Sequence, residues 1–271
     1  MNLNETKVRI YNLALTKLGI TERLTTGNEN CEEANAFNAV WQQVLHEVLE
    51  LADWKCARKR AVIRRDTDLV EAADKGPVEK PVVITATAHA FEDGDLVQFS
   101  DVLGMTELNG NVYMAKNPSA DTFELYNEEG TEGVDGEDFG TWTSGGTIWR
   151  IPGWGYAYAF KLPDACIKVI QTGVDIGGWV EEHNIFLTNY ADEELEILYI
   201  AYLSDPRYFS PLLADTVATR LGAVCAPTLT KSKGKQQQLD QEFAGLLTLA
   251  RAQDARYRQE PDAGSKPITS M

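Results

Sequence analysis

Residues 82–100, VVITATAHAFEDGDLVQFS, are where the periodicity of this 271-residue chain changes. Val82, Ile84 and Ala86 alternate with Val83, Thr85 and Thr87, and after Asp93–Gly94 a second run, Leu96 to Ser100, begins. Short β-rich runs separated by Asp-Gly are hairpin chemistry. The same grammar recurs in NVYMAKN (111–117), TFELYN (122–127) and GTIW (146–149), with LNG, NPS, EEG and SGG as turns. A small all-β module follows, flanked by KGPVEKP (75–81) and IPGWG (151–155), where proline and glycine interrupt regular structure.

Upstream of that module the spacing is helical. Val8, Tyr11, Leu15 and Leu18 define one stripe, with Asn4 as N-cap and Gly19 as stop. A second stripe runs through Phe37, Val40/Trp41, Val44/Leu45, Val48 and Leu51/Ala52 to Trp54, opened by Asn30 and Glu33 in capping-box relation. Downstream come strand candidates CIKVIQT (166–172), WVEE (179–182), IFLT (185–188) and LEILYIAYL (195–203), the last apolar on both faces. Helices then return. Ser210 and Pro211 form an N-cap and N1 pair for a helix with Leu213, Val217, Leu221 and Val224 on one face and Pro227 as its end, and a last helix carries Leu239, Phe243, Leu246 and Ala250. The fold class is therefore α+β: a discontinuous helical-bundle domain with a short β-sheet, interrupted by a small all-β barrel insertion. The expected divisions are 1–80, first part of the helical core; 81–149, the inserted module; 150–258, strands then helices; and 259–271, a flexible tail.

Net charge is −16, and residues 82–148 account for most of it, with thirteen acids against the single base Lys116. A segment this acidic repels nucleic acid. Four scattered cysteines (Cys31, Cys56, Cys166, Cys225) and three scattered histidines (His46, His89, His183) give no CxxC, HExxH or triad spacing. The cysteines read as reduced, mostly buried small hydrophobes and the histidines as structural or surface residues. No run approaches the roughly 18 apolar residues of a membrane span, and MNLNETKVRI lacks a signal-peptide core, so a cytosolic product is expected. FEDGDLV and VDGEDFG miss the calcium-loop register and read as acidic turns, GWGYAY lacks a third glycine, and no phosphate loop or nucleophile elbow occurs. No enzyme, no cofactor and no metal is expected. The densest positive charge, Lys55, Arg58, Lys59, Arg60, Arg64 and Arg65, stands directly behind Trp54. It is short and has one aromatic neighbour, so it reads as a helix-end or subunit-interface feature rather than a nucleic-acid site, with Trp54 as a core anchor.

Five stretches in this order resemble the head-to-tail adaptor of short-tailed bacteriophages: ALxxLG (Ala14, Leu15, Leu18, Gly19), VLELADWKCARKRAVI (48–63), GWGYAYAFKLPDACIKVI (153–170), DPRYFSP (205–211) and ADTVATRLGAVCAPTLTKS (214–232). The likeness covers about residues 5–75 and 150–260. Residues 82–148 resemble a second family, the small β-barrel of the first catalytic-cysteine half-domain of ubiquitin-activating enzymes. No cysteine lies between Cys56 and Cys166, so the scaffold has no thiol for a thioester.

The first resemblance implies a structural virion protein, made in the host cytoplasm, that forms a ring of twelve copies. The ring joins the portal protein to the tail nozzle or hub protein and lines part of the channel through which DNA passes without sequence-specific contact or membrane. Arg58, Lys59 and Arg60 are candidate subunit or portal contacts. The tail, with Tyr257 and Arg258 before it and Pro267, Ile268 and Met271 within it, is expected to order across a portal subunit or neighbouring adaptor. Two alternatives stay open: a carbohydrate- or receptor-binding virion protein using the β-module, and a hydrolase whose carboxylates converge only in three dimensions.

Overall fold

A computed structural model describes residues 3–75, 81–153 and 155–257. In chain order the elements are helices α1 (Leu3–Leu18) and α2 (Glu32–Leu51), then strands β1 (Arg58–Arg64), β2 (Asp68–Leu69), β3 (Ala72–Asp74), β4 (Val83–Thr85), β5 (Leu96–Ser100), β6 (Val112–Lys116), β7 (Thr122–Tyr126) and β8 (Thr147–Arg150). Strands β9 (Tyr158–Lys161), β10 (Cys166–Thr172), β11 (Trp179–Glu182), β12 (Ile185–Thr188) and β13 (Glu194–Ala201) follow, and helices α3 (Pro211–Leu229) and α4 (Lys233–Tyr257) complete an α+β fold. Among the described residues no helix is long and apolar enough to cross a membrane.

The chain divides into two units. One is Met1–Arg60, Ala165–Gln171 and Leu198–Met271; the other is Ala61–Asp164 and Thr172–Ile197. The second unit is larger than the segment 81–149 because the chain on both sides of that segment joins it.

In the first unit four helices share one core. Gly19 stops α1 as its left-handed φ of 81° requires, its N–H donating to Thr16 and that of Ile20 to Leu15. Two expected caps differ. Asn4 already lies inside α1, and α2 is capped by Cys31 without a side-chain bond, so Asn30 and Glu33 form no box. Ser210 caps α3 as its sequence predicts, accepting from Leu213 N–H at 3.2 Å, with Pro211 at N1. Pro227 does not end that helix, which runs two residues further to Leu229 before Thr230 N–H closes on the Ala226 carbonyl. A proline inside a helix forfeits one ladder bond and crowds the carbonyl four residues before it, which the helix tolerates here in its last turn.

Helix α3 is buried on nearly every side, against α1, α2 and α4. Its buried threonines, Thr216 and Thr219, donate to the carbonyls of Leu212 and Asp215 at 2.7 and 2.8 Å, which leaves no hydroxyl unsatisfied. At Gly222 a Cβ would stand 3.2 Å from Leu239 Cδ1 and 3.6 Å from the Ala14 carbonyl oxygen, so the glycine permits close helix approach. In α4 the buried stripe is Leu239, Phe243, Leu247 and Ala250; Leu247, rather than Leu246, completes it. At the rim Arg220 joins Glu47 of α2 (2.9 Å) to Asp240 of α4 (3.0 Å). Cys225 is the one buried cysteine, its thiol pushed up to about 11 by burial, while Cys31, Cys56 and Cys166 are half-buried.

The second unit contains a seven-stranded antiparallel sheet in the order β2-β8-β5-β6-β7-β4-β3. Strands β4 to β8 fall on the five runs expected, and their alternation puts Ile84, Val97, Phe99, Tyr113, Ala115, Phe123, Leu125 and Ile148 into one core. Strands β2 and β3 were not expected. They pair with β8 and β4 and bring Val70 into the same core. His89 is buried here against Phe91 and Phe123; its Nδ1 accepts from Phe91 N–H at 3.2 Å. Strands β11, β12 and β9 form a second, three-stranded sheet around Phe186 and Phe160. A third sheet has the order β1-β13-β10, with β1 at its edge.

Candidate interaction site

Helix α2 ends at Leu51, where Ala52 takes up extended backbone. The chain turns so that the indole folds back onto the helix, 3 % exposed, with Nε1–H donating to the Val48 carbonyl at 2.7 Å. After Trp54, Lys55–Ala57 is a single 3-10 turn and Arg58–Arg64 is strand β1. Cations far away in sequence serve the end of α2. Lys168 Nζ donates to the Glu50 carbonyl at 2.7 Å and pairs with Asp53 at 2.9 Å, and Arg251 donates to the Leu51 carbonyl at 3.1 Å. Orphan carbonyls at a helix C-terminus attract whichever cation the tertiary fold delivers.

Along β1 the side chains alternate. Arg58, Arg60, Val62 and Arg64 share one face; Lys59, Ala61 and Ile63 share the other. Only Ile63 is buried, and Val62 is 54 % exposed. Arg64 pairs with Glu194 at 2.9 Å, but both are exposed and the pair contributes little. Lys59 and Arg60 are exposed and make no ion pair among the described residues. Of the other expected contact residues, Tyr257 ends α4, whereas Arg258, Pro267, Ile268 and Met271 lie outside the described residues.

Arg65 behaves differently from the rest of the basic run. Its N–H donates to the Glu193 carbonyl at 2.9 Å, and its guanidinium carbon lies 4.2 Å from the Tyr158 ring centre and 5.0 Å from that of Trp149. Trp149 follows core residue Ile148 yet is itself only 6 % exposed, because Tyr158 and Arg65 cover the outer face of β8. Two consecutive large apolar residues in GTIWR were the available sign of this second layer. We expect Arg65→Ala to lower the stability of the second unit by about 1–2 kcal/mol and Arg65→Lys to recover little of it, since only a planar guanidinium stacks. Denaturant unfolding followed by circular dichroism measures both.

Beside this stack, Gln98, Leu103, Thr106, Gly110, Trp149 and Tyr158 line an open groove of about 530 Å³. The register pairs Gln98 with Trp149 and Ser100 with Thr147, so these side chains share the outer face.

The acids concentrate elsewhere on the module. Glu128, Glu129, Glu132, Asp135, Glu137 and Asp138 are all exposed, and none makes an ion pair among the described residues. Their turn is fixed by Asn127, whose Oδ1 accepts from Thr131 and Glu132 N–H at 2.8 and 3.2 Å. Gly130 occupies the left-handed region at φ 69°, where a Cβ would meet Met114 Sδ at 2.4 Å. Among the described residues no three His, Cys, Asp or Glu side chains are placed to hold a metal ion.

Residues 79–151 match the ubiquitin-activating enzyme E1 FCCH domain family, about a quarter of the chain. The match begins after β2 and β3 and ends just past β8, so it covers five of the seven strands. No curated protein matches the chain. The β-module is thus similar to an FCCH domain, on a segment that carries no cysteine.

Proposed function

We propose that the chain is a structural virion protein, the head-to-tail adaptor of a short-tailed bacteriophage, working as a twelve-copy ring between portal and tail nozzle without catalysis. One observation carries this reading. Ala14, Leu15, Leu18, Trp54 and the Thr216–Ala226 stretch, on which much of the resemblance rests, are buried together in the core of a single helical unit. This part of the likeness therefore falls on one folded unit, while its stretches at 61–75 and 153–164 lie in the second. That unit also displays DPRYFSP as a rigid 3-10 turn, in which Asp205 holds Arg207 and leaves Tyr208 64 % exposed. Exposed tyrosine beside a fixed arginine is the composition of a protein-binding hot spot. Mixing the purified chain with the portal protein of the same genome should give rings with added density on one face in negative-stain micrographs. Portal rings left unchanged at saturating adaptor would overturn the reading.

A second reading is favoured by the groove over Trp149 and Tyr158, whose aromatic floor and polar rim suit a sugar or receptor segment. Glycan-array binding by the full chain that is lost in Tyr158→Ala would select it.

A further inference from the structure

We propose that copies of this chain dock head to tail, the acidic turn of residues 128–138 on one copy meeting Lys59 and Arg60 on strand β1 of the next. This deepens the adaptor reading and rests on it for the biological setting. Among the described residues strand β1 has a single neighbour in its sheet, and it carries four cations, Arg58, Lys59, Arg60 and Arg64. Lys59 and Arg60 stand on opposite faces, so together they bracket the open edge, and neither has an ion pair among the described residues. A strand edge guarded by cations rejects other edges while remaining open to an anionic surface.

The complementary surface is on the same molecule. Six exposed carboxylates between Glu128 and Asp138 make no ion pair among the described residues, on a turn held by Asn127 and Gly130, and the one lysine recorded there, Lys75, donates to the Glu137 backbone carbonyl at 3.5 Å. A preorganised acidic turn loses little conformational freedom on docking. A second copy is the occupant because every copy carries both surfaces, and nucleic acid is repelled by a chain of net charge −16. Two different surfaces meeting make a heterologous contact, and such contacts repeat around a ring when the rotation closes.

Sedimentation velocity on the full chain in about 50 and about 500 mM salt tests this, since screening weakens exposed charge contacts. Wild type should associate at low salt and separate at high salt. The variants K59E/R60E and E128K/E129K/E132K should each associate roughly 100-fold more weakly. An equimolar mixture of the two should regain association, because each altered surface then meets its opposite. A mixture that stays apart, with both variants melting as wild type does, overturns the proposal; so does unchanged association of either variant. Should either charge reversal fail to fold, K59Q/R60Q and E128Q/E129Q/E132Q replace them, and wild-type association by both overturns it. Wild type monomeric alone is assayed on portal rings, where full occupancy by both variants sinks the docking and leaves the adaptor reading intact. Charge-controlled self-association without portal binding does the reverse.

Discussion

Trp54→Ala should cost about 3–5 kcal/mol of unfolding free energy, enough to leave the helical unit marginal. The indole is 3 % exposed among core residues contributed by all four helices, and its removal leaves a cavity in that core. The Val48 carbonyl loses its donor at the same time. Trp54→Phe separates the two effects: it keeps most of the apolar contact and forfeits the hydrogen bond, for a loss of about 1–3 kcal/mol. Chemical denaturation followed by helix content measures both. An alanine variant that unfolds at the wild-type midpoint would remove Trp54 from the core.

The second large effect concerns where the β-module can be cut. Replacing residues 82–148 by a flexible linker should give an aggregating or strongly destabilised protein, because β2 and β3 lose their partners β8 and β4 and Val70 loses its core. Replacing Asp68–Ile148 by a two-residue Asn-Gly turn should instead give a soluble chain whose helical unit melts as before. Asp68 and Ile148 are directly opposed across an antiparallel pair, so Thr67 and Trp149 are already close enough for a tight hairpin. The cut also retains the Arg65–Trp149–Tyr158 stack. Size-exclusion chromatography and thermal unfolding of both variants decide the matter. Equal behaviour would mean that β2 and β3 are dispensable.

These boundaries show what was legible in the sequence. Helical stripes and alternating runs announced α1 to α4 and β4 to β8, because each repeats its period over several residues. Strands β2 and β3 are too short to show a period and exist only through their partners. In β1 cations occupy both faces and only Ile63 is buried, so alternation was hidden beneath charge. Cys31 at the start of α2 makes no capping bond, and no capping rule finds it. For the candidate site, the basic run was visible, but the separate role of Arg65 depends on two rings distant in sequence. Lys168 and Arg251, which serve the end of α2, likewise become recognisable only once the fold brings them there.

The burial of α3 on nearly every side bears on the order in which the chain is made. Helices α1 and α2 leave the ribosome before α3, and the surface they share with it stays open until residues 211–229 emerge, so Phe37, Val44 and Leu45 wait for that segment. The β-module lies between these segments, and most of its strands pair with a sequence neighbour. Its contacts are local enough to form while the rest of the chain is still being synthesised. The strand pairings of the module can therefore precede the closing of the helical core, and its acidic surface sets like charge against association while that core stands incomplete.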